Sequence, residues 1–196
     1  MENGFFAMAF RMKYIRRWGL MYSVHPENLS THSLEVALCA HALAVIGNAR
    51  SGRAYDADRI ATKALFHDLP EIFTGDIPTP VKYYSEDTRV SYSAVEDAAL
   101  EKLFDMLPEE LRPSYETLFN YTPEEKKLIK AADKICALLK CRDEAHFGNP
   151  EFCEAEKTLL QSITDADCEE ALYFLESFGD SFSKPIDTLI QNKNQR

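Results

Sequence analysis

Across most of the chain apolar residues return every three to four positions, and nowhere do they alternate over several cycles between hairpin-type turns. That spacing stacks side chains on one face of an α-helix, whereas a half-buried strand needs period two. The pattern therefore predicts an all-α fold. At 196 residues the chain suits a single domain over 1–196, with helices from about 150 onward packing on the core.

Phe6, Phe10 and Tyr14, four apart, predict the inner face of a first helix that closes in Arg16-Arg17-Trp18 before Gly19. Asn28-Leu29-Ser30-Thr31 is N-capping chemistry for a second, apolar nearly all round and so expected at the centre. Its stripe Leu34, Leu38, His41, Val45 runs to Gly47, with His41 expected as a packed, hydrogen-bonded core residue. A third helix begins near Asp56, aligns Ile60, Ala64 and His67, and breaks at Pro70. Thr74 to Pro80 reads as a loop, because Gly75, Pro78 and Pro80 interrupt a helix. Thr88 to Met106 reads as a long helix, with Val95, Ala99, Leu103 and Met106 in register. Thr122-Pro123-Glu124-Glu125 is a capping box with proline at the first helical position, opening a helix through Leu128, Ala132, Ile135 and Leu139. One or two more helices follow Pro150, including Leu172, Leu175 and Phe178, and Asn192 to Arg196 are expected to fray.

With 22 Lys plus Arg against 32 Asp plus Glu, the net charge is -10, which repels nucleic acid and anionic membrane. An anionic ligand would need a locally basic site. Five cysteines with no CxxC pair suggest reduced thiols in a cytoplasmic protein. The apolar run Phe5 to Phe10 is too short for an export signal or a membrane span, so no membrane segment is expected.

Four polar residues from three predicted helices stand where periodicity predicts burial: His32, His67, Asp68 and Asp133. A carboxylate amid Lys130-Ala131-Ala132-Asp133-Lys134-Ile135 is costly unless paired, and a divalent metal would compensate it. Two imidazoles with two carboxylates suit Mn, Fe, Co or Zn. On spacing alone, Asp133 pairing with Lys130 or Lys134, and His32 as an ordinary first-turn residue, explain the same positions. His67 and Asp68 leave a helix about 100° apart, so they share an ion only in a crease at the helix end. Arg16-Arg17-Trp18 offers a guanidinium for phosphate and an indole for a sugar or base, or else a helix C-terminus with a core anchor. Glu71 reads as a general acid or base, or as a first-turn acid; Asp76 as a polar ligand for sugar or water, or as a turn former.

The order His32, His67-Asp68, Asp133 resembles the HD-domain metal-dependent phosphohydrolases. With Arg17-Trp18, Glu71 and Thr74-Gly75-Asp76-Ile77-Pro78-Thr79-Pro80-Val81-Lys82-Tyr83, the chain to about Gly148 is similar to the bacterial 5'-deoxynucleotidases of the YfbR type. Leu69-Pro70 departs from that pattern and bears on where Glu71 points. The resemblance implies an HD-domain helical bundle that hydrolyses 2'-deoxyribonucleoside 5'-monophosphates. His32, His67, Asp68 and Asp133 would hold one divalent transition metal, Co2+ or Mn2+ foremost, with Zn2+ or Fe2+ as alternatives. It further implies catalytic roles for Glu71, Arg17 and Asp76, substrate contacts from Arg17, Trp18, His32, Asp68, Asp76, Ile77, Pro78, Thr79 and Asp133, and a homodimer. Two rival readings are an HD phosphohydrolase acting on a triphosphate or signalling nucleotide, and a catalytically silent scaffold whose metal ties three helices together.

Overall fold

The computed structural model describes residues 3–82 and 84–190, with Thr79 represented by its backbone alone. Asn192 to Arg196 and Tyr83 lie outside the described residues. Among those described, the regular elements are helical, and the one β-type pairing is an isolated bridge between Arg16 and Asn28. In chain order the α-helices are α1 (Phe5–Ala9), α2 (Leu29–Ser51), α3 (Ala57–Leu65), α4 (Glu71–Thr74), α5 (Thr79–Lys82), α6 (Glu86–Phe104), α7 (Arg112–Glu116), α8 (Pro123–His146), α9 (Cys153–Asp165), α10 (Glu169–Phe178) and α11 (Ile186–Ile190).

The capping signals operate as chemistry predicts. Asn28 accepts the Thr31 amide to start α2, and Asp56 accepts that of Arg59 to start α3. At α8 the Thr122 hydroxyl takes the Glu125 amide while the Glu125 carboxylate returns to the Thr122 amide. The same carboxylate, almost fully buried, receives the Lys63 ammonium at 2.5 Å, and that ammonium also donates to the Asn120 carbonyl.

The larger of two hydrophobic clusters fills the space between α2, α3, α8 and α10, so α2 is central, and α9 packs along α8. The smaller joins Phe5, Met12, Leu29, Leu69, Leu103 and Phe104. By length and composition α2 would also pass for a membrane span, at a mean hydropathy of 1.4, but its inner face is spent on the core.

That inner face is not the expected one. Leu34, Leu38 and Val45 are exposed, whereas Val36, Ala37, Ala40, Leu43, Ala44 and Gly47 are buried. Small residues win the core side because neighbouring helices approach closely there; a Cβ on Gly47 would sit 2.6 Å from the Tyr55 ring. His41 follows the exposed stripe and sits half in solvent, 3.5 Å from Asp58, so it is no core residue. The first stripe fails for a different reason. The chain tightens into a 3-10 helix over Phe10–Tyr14, where three residues make a turn and four-residue spacing no longer aligns. Phe6, Phe10 and Tyr14 are exposed, and Phe5 and Met12 face inward.

The remaining departures are shorter. The Thr74–Pro80 loop contracts to Gly75–Pro78 because Thr74 closes α4 and Thr79 opens α5. The long helix starts two residues early, with Ser85 capping the Thr88 amide, and its Val95 is exposed. In α10, Leu172 and Phe178 are exposed while Ala171 and Phe174 carry the contact.

Residues 21–28 have no regular structure and are fixed from α8. The buried Glu144 carboxylate accepts the amides of Val24 and His25, the Asn149 side chain and the Lys140 ammonium, and Asn149 donates to the Tyr22 carbonyl. Burial opposes ionisation, but these donors hold Glu144 down at about 2. A depressed carboxyl contributes stability that is complete above its unfolded value near 4.5 and is lost as pH falls through about 2. Glu144→Gln should flatten the stability curve over that window, removing on the order of 3 kcal/mol of pH dependence. Urea unfolding at stepped pH checks this, and parallel curves for parent and variant would count against it.

Candidate functional site

The four predicted ligand positions meet where three local structures end or cross. The Asn28 cap puts His32 in the first turn of α2, with its ring fully buried. Past Leu65, α3 tightens through amide-to-carbonyl bonds three residues back, from Phe66 to Lys63 and His67 to Ala64, before Pro70 starts α4. This twist lets adjacent residues share one crease: His67 Nε2 lies 3.1 Å from Asp68 Oδ2. Asp133 enters from the middle of α8 and meets His32 Nε2 at 3.0 Å, with Asp68 Oδ2 3.7 Å from the same nitrogen. Ligand atoms of His32, His67 and Asp68 all lie within 4.8 Å of one another. Asp133 is therefore bound to an imidazole rather than to Lys130 or Lys134, and Lys134 turns to Ser162.

The donor set fits a cation. His67 Nδ1 is 2.7 Å from the Ala64 carbonyl, which can only accept, so Nδ1 carries a proton and Nε2 is the nitrogen that would present a lone pair once a cation displaces its proton. That Nε2 is buried without a hydrogen-bond partner. In His32 the Nδ1 lies 3.2 Å from Glu27 Oε1, while Nε2 faces inward and is hydrogen-bonded to Asp133 at 3.0 Å. Burial opposes a charge on His67, yet the carboxylates of Asp68 and Asp133 outweigh it and hold the ring up at about 9. Burial likewise opposes the charge on Asp68, but His67, His32 and Arg17 hold it well below the ordinary carboxylate range. The pocket is thus tuned to hold positive charge.

Arg17 and Trp18 form the wall beside this cluster. The Arg17 guanidinium is 3.5 Å from Asp68, 3.6 Å from Glu27 and 3.8 Å from Asp76, while Arg16 points to solvent. Trp18 has φ of 60°, a left-handed backbone that costs a bulky residue of order 1 kcal/mol or more. Its amide donates to Asp76 Oδ2 at 2.9 Å, its indole nitrogen donates to Glu27 Oε2 at 2.8 Å, and its ring edge meets Phe152. Asp76 thereby ties the Gly75–Pro78 loop to the Arg17-Trp18 wall; Ile77 and Pro78 are half-buried in that loop. The side chain of Thr79 lies outside what the structure describes.

Glu71 opens α4 just after Pro70, so the proline leaves it beside the cluster. One of its carboxylate oxygens is buried without a hydrogen-bond partner. Burial first, then the charges of Asp68 and Asp76, push this carboxyl up to about 9. Sequence reasoning missed Glu27. Lying in the irregular segment before a helix cap, it has no periodicity to mark it, yet it contacts His32, Trp18 and Arg17.

The helical bundle shares its fold with solved HD-domain phosphohydrolases. A crystal structure of an HD-domain phosphohydrolase from Listeria innocua superposes with a TM-score of 0.80 at 25% identity, covering 92% of this chain and 88% of that one. A model of the family described as 5'-deoxynucleotidase YfbR-like matches residues 4–182. The chain belongs to the YfbR-like 5'-deoxynucleotidase family. It is 46% identical over 191 residues to a 5'-deoxynucleotidase of Vibrio cholerae, covering 96% of this chain and 98% of that protein. It is 45% identical over 194 residues to 5'-deoxynucleotidase YfbR of Escherichia coli, covering 97% and 98%. The fold is shared with the cyanophage S-2L HD phosphohydrolase DatZ, solved bound to dA and one catalytic Zn2+ ion, at a TM-score of 0.65 and 22% identity over 91% and 96% of the two chains.

Proposed function

We propose that the protein is a metal-dependent 5'-nucleotidase that hydrolyses 2'-deoxyribonucleoside 5'-monophosphates to deoxynucleoside and phosphate, acting as a single domain in the cytoplasm. The observation that carries this reading is the convergence of two imidazole nitrogens and two carboxylates beside Arg17 and Glu71, in a chain about 45% identical to proteins named 5'-deoxynucleotidase. His32, His67, Asp68 and Asp133 would hold one divalent transition metal ion. Cobalt or manganese is our first choice, with zinc, the ion in DatZ, and iron as alternatives. When bound, such an ion supplies positive charge and Lewis acidity toward water and phosphate oxygens.

The chain's own groups account for the rest. Arg17, held by three carboxylates, presents a fixed guanidinium where charge builds on the phosphoryl oxygens. Glu71, kept neutral by its surroundings, offers a proton to the leaving 5' oxygen from its unpartnered Oε2. Asp76 spends its oxygens on Trp18 and Arg17, so its part is to position them. Trp18 with Ile77, Pro78 and Thr79 would wall the sugar. A triphosphate would need more cations inside the pocket than Arg17 alone. A silent scaffold would leave the buried, unpaired oxygen of Glu71 without a purpose. We also propose a homodimer, for which exposed Val90 and Val95 of α6 offer apolar surface.

The test is sugar selection. The joined Trp18 and Asp76 walls should leave a 2' hydroxyl without room or partner, favouring dAMP over AMP by about 100-fold or more. Trp18→Ala should narrow that ratio. Equal rates on dAMP and AMP in the parent would remove the deoxy assignment while leaving metal-dependent monoester hydrolysis standing.

A further inference from the structure

A dianionic substrate approaching a protein of net charge -10 meets repulsion everywhere except where cations cluster. Arg17, enclosed by three carboxylates, cannot supply that attraction outside the pocket. The way in is marked by exposure: Asp133 keeps 40% of its side-chain surface, against 17% for Asp68 and none for His32. The site therefore opens along α8.

Lys126 and Lys130 precede Asp133 on α8 by seven and three residues, spacings that put all three on one helical face. Both are exposed, and among the described residues neither makes an ion pair. Lys82, which closes α5, and Arg89 on α6 are tied to Glu96 and Glu86. Burial and the charges of Lys126, Lys134, Lys82 and Arg89 lower the Lys130 ammonium, and Lys82 also acts on Glu71. Lys130 is thus within electrostatic reach of Lys126, Lys82 and Arg89, and Lys82 within reach of Glu71, while Lys134 is turned to Ser162 on α9.

We propose that Lys126 and Lys130, backed by Lys82 and Arg89, form a basic collar that draws the nucleotide's dianionic phosphate to the mouth of the site against the charge of the protein. The idea rests on the monophosphate reading above. Lys126 lies about 10 Å along the helix from Asp133, roughly one Debye length at 0.1 M salt, so its pull acts on approach and fades as salt rises. Lys130 is nearer, about 4.5 Å along the helix, but both side chains are exposed, and charges in solvent act alike on bound substrate and transition state, which leaves kcat alone.

The test uses the metal-loaded full chain and phosphate release from dAMP between about 10 mM and 0.5 M salt. For the parent, kcat/KM should fall about tenfold over that range with kcat constant. Lys126→Gln/Lys130→Gln should lose about 5- to 10-fold in kcat/KM at low salt and show a flatter dependence. Arg50→Gln, eighteen residues past His32 on α2 and so about 27 Å from it along the helix, should match the parent. Inhibition by deoxyadenosine, an uncharged product, should be the same in all three. A double variant with the parent's salt dependence, or one that loses kcat in step with kcat/KM, overturns the collar. No phosphate release from dAMP by the parent at any salt removes the monophosphate reading, and the collar's role falls with it.

Discussion

His67→Ala is expected to abolish stoichiometric metal binding and to lower phosphate release by at least about a thousandfold, since a catalytic ion contributes several kcal/mol and each 1.4 kcal/mol is a factor of ten. The ring contributes one of two inward nitrogens, and its backbone-fixed tautomer cannot be replaced by a neighbour that lacks a lone pair at that point. Asp133→Ala should behave the same way, with an added consequence at His32, whose Nε2 loses its carboxylate partner. Elemental analysis of both purified variants decides the matter: full metal content in either one shows that the ligand set has been wrongly drawn. Chelator-treated parent protein should match the variants in activity and recover when metal is restored, which the variants should not.

Glu71→Ala should separate proton transfer from metal binding. Its carboxyl lies beside the ligands without being needed to hold them, so the variant is expected to keep its metal and bind nucleotide. Turnover should drop by about 100- to 10,000-fold, the usual contribution of a general acid or base. Glu71→Gln, which preserves shape and loses the transferable proton, should fall nearly as far. A Glu71→Gln variant with near-parental turnover would assign the proton to water and reduce Glu71 to a packing residue.

Where a structural decision is made by adjacent residues, the sequence shows it. The reciprocal bonds of Thr122 and Glu125 and the Asn28 cap needed no knowledge of the rest of the fold. The break expected at Pro70 comes earlier, since α3 ends at Leu65 and Pro70 caps α4. Convergence of His32, His67, Asp68 and Asp133 was legible because buried charge in apolar helices demands a partner, and their order narrowed which one. The buried face of α2 was hidden, since a helix apolar all round carries no contrast between sides; the choice belongs to the close approach at Ala40, Ala44 and Gly47. Nor does spacing announce a change of helix type, which is why Phe5 and Met12 displaced Phe6 and Phe10 from the core. Glu27 and Glu144 were invisible for a third reason. Both act on partners far away in sequence or on bare amides, and neither side of such a bond leaves a pattern in its own neighbourhood.

One carboxylate, Glu27, faces the Nδ1 of His32, the indole nitrogen of Trp18 and the Nε of Arg17 at once. In the proposed roles of these three residues, the ion's grip, the sugar's wall and the phosphate's counter-charge would be mechanically yoked, so that a change at position 27 would not adjust one without disturbing the other two. Under the same reading, room for lineages to change which nucleoside they accept would lie at Ile77 and Pro78, which take no part in the three bonds of Glu27 and where a substitution would leave the yoke intact.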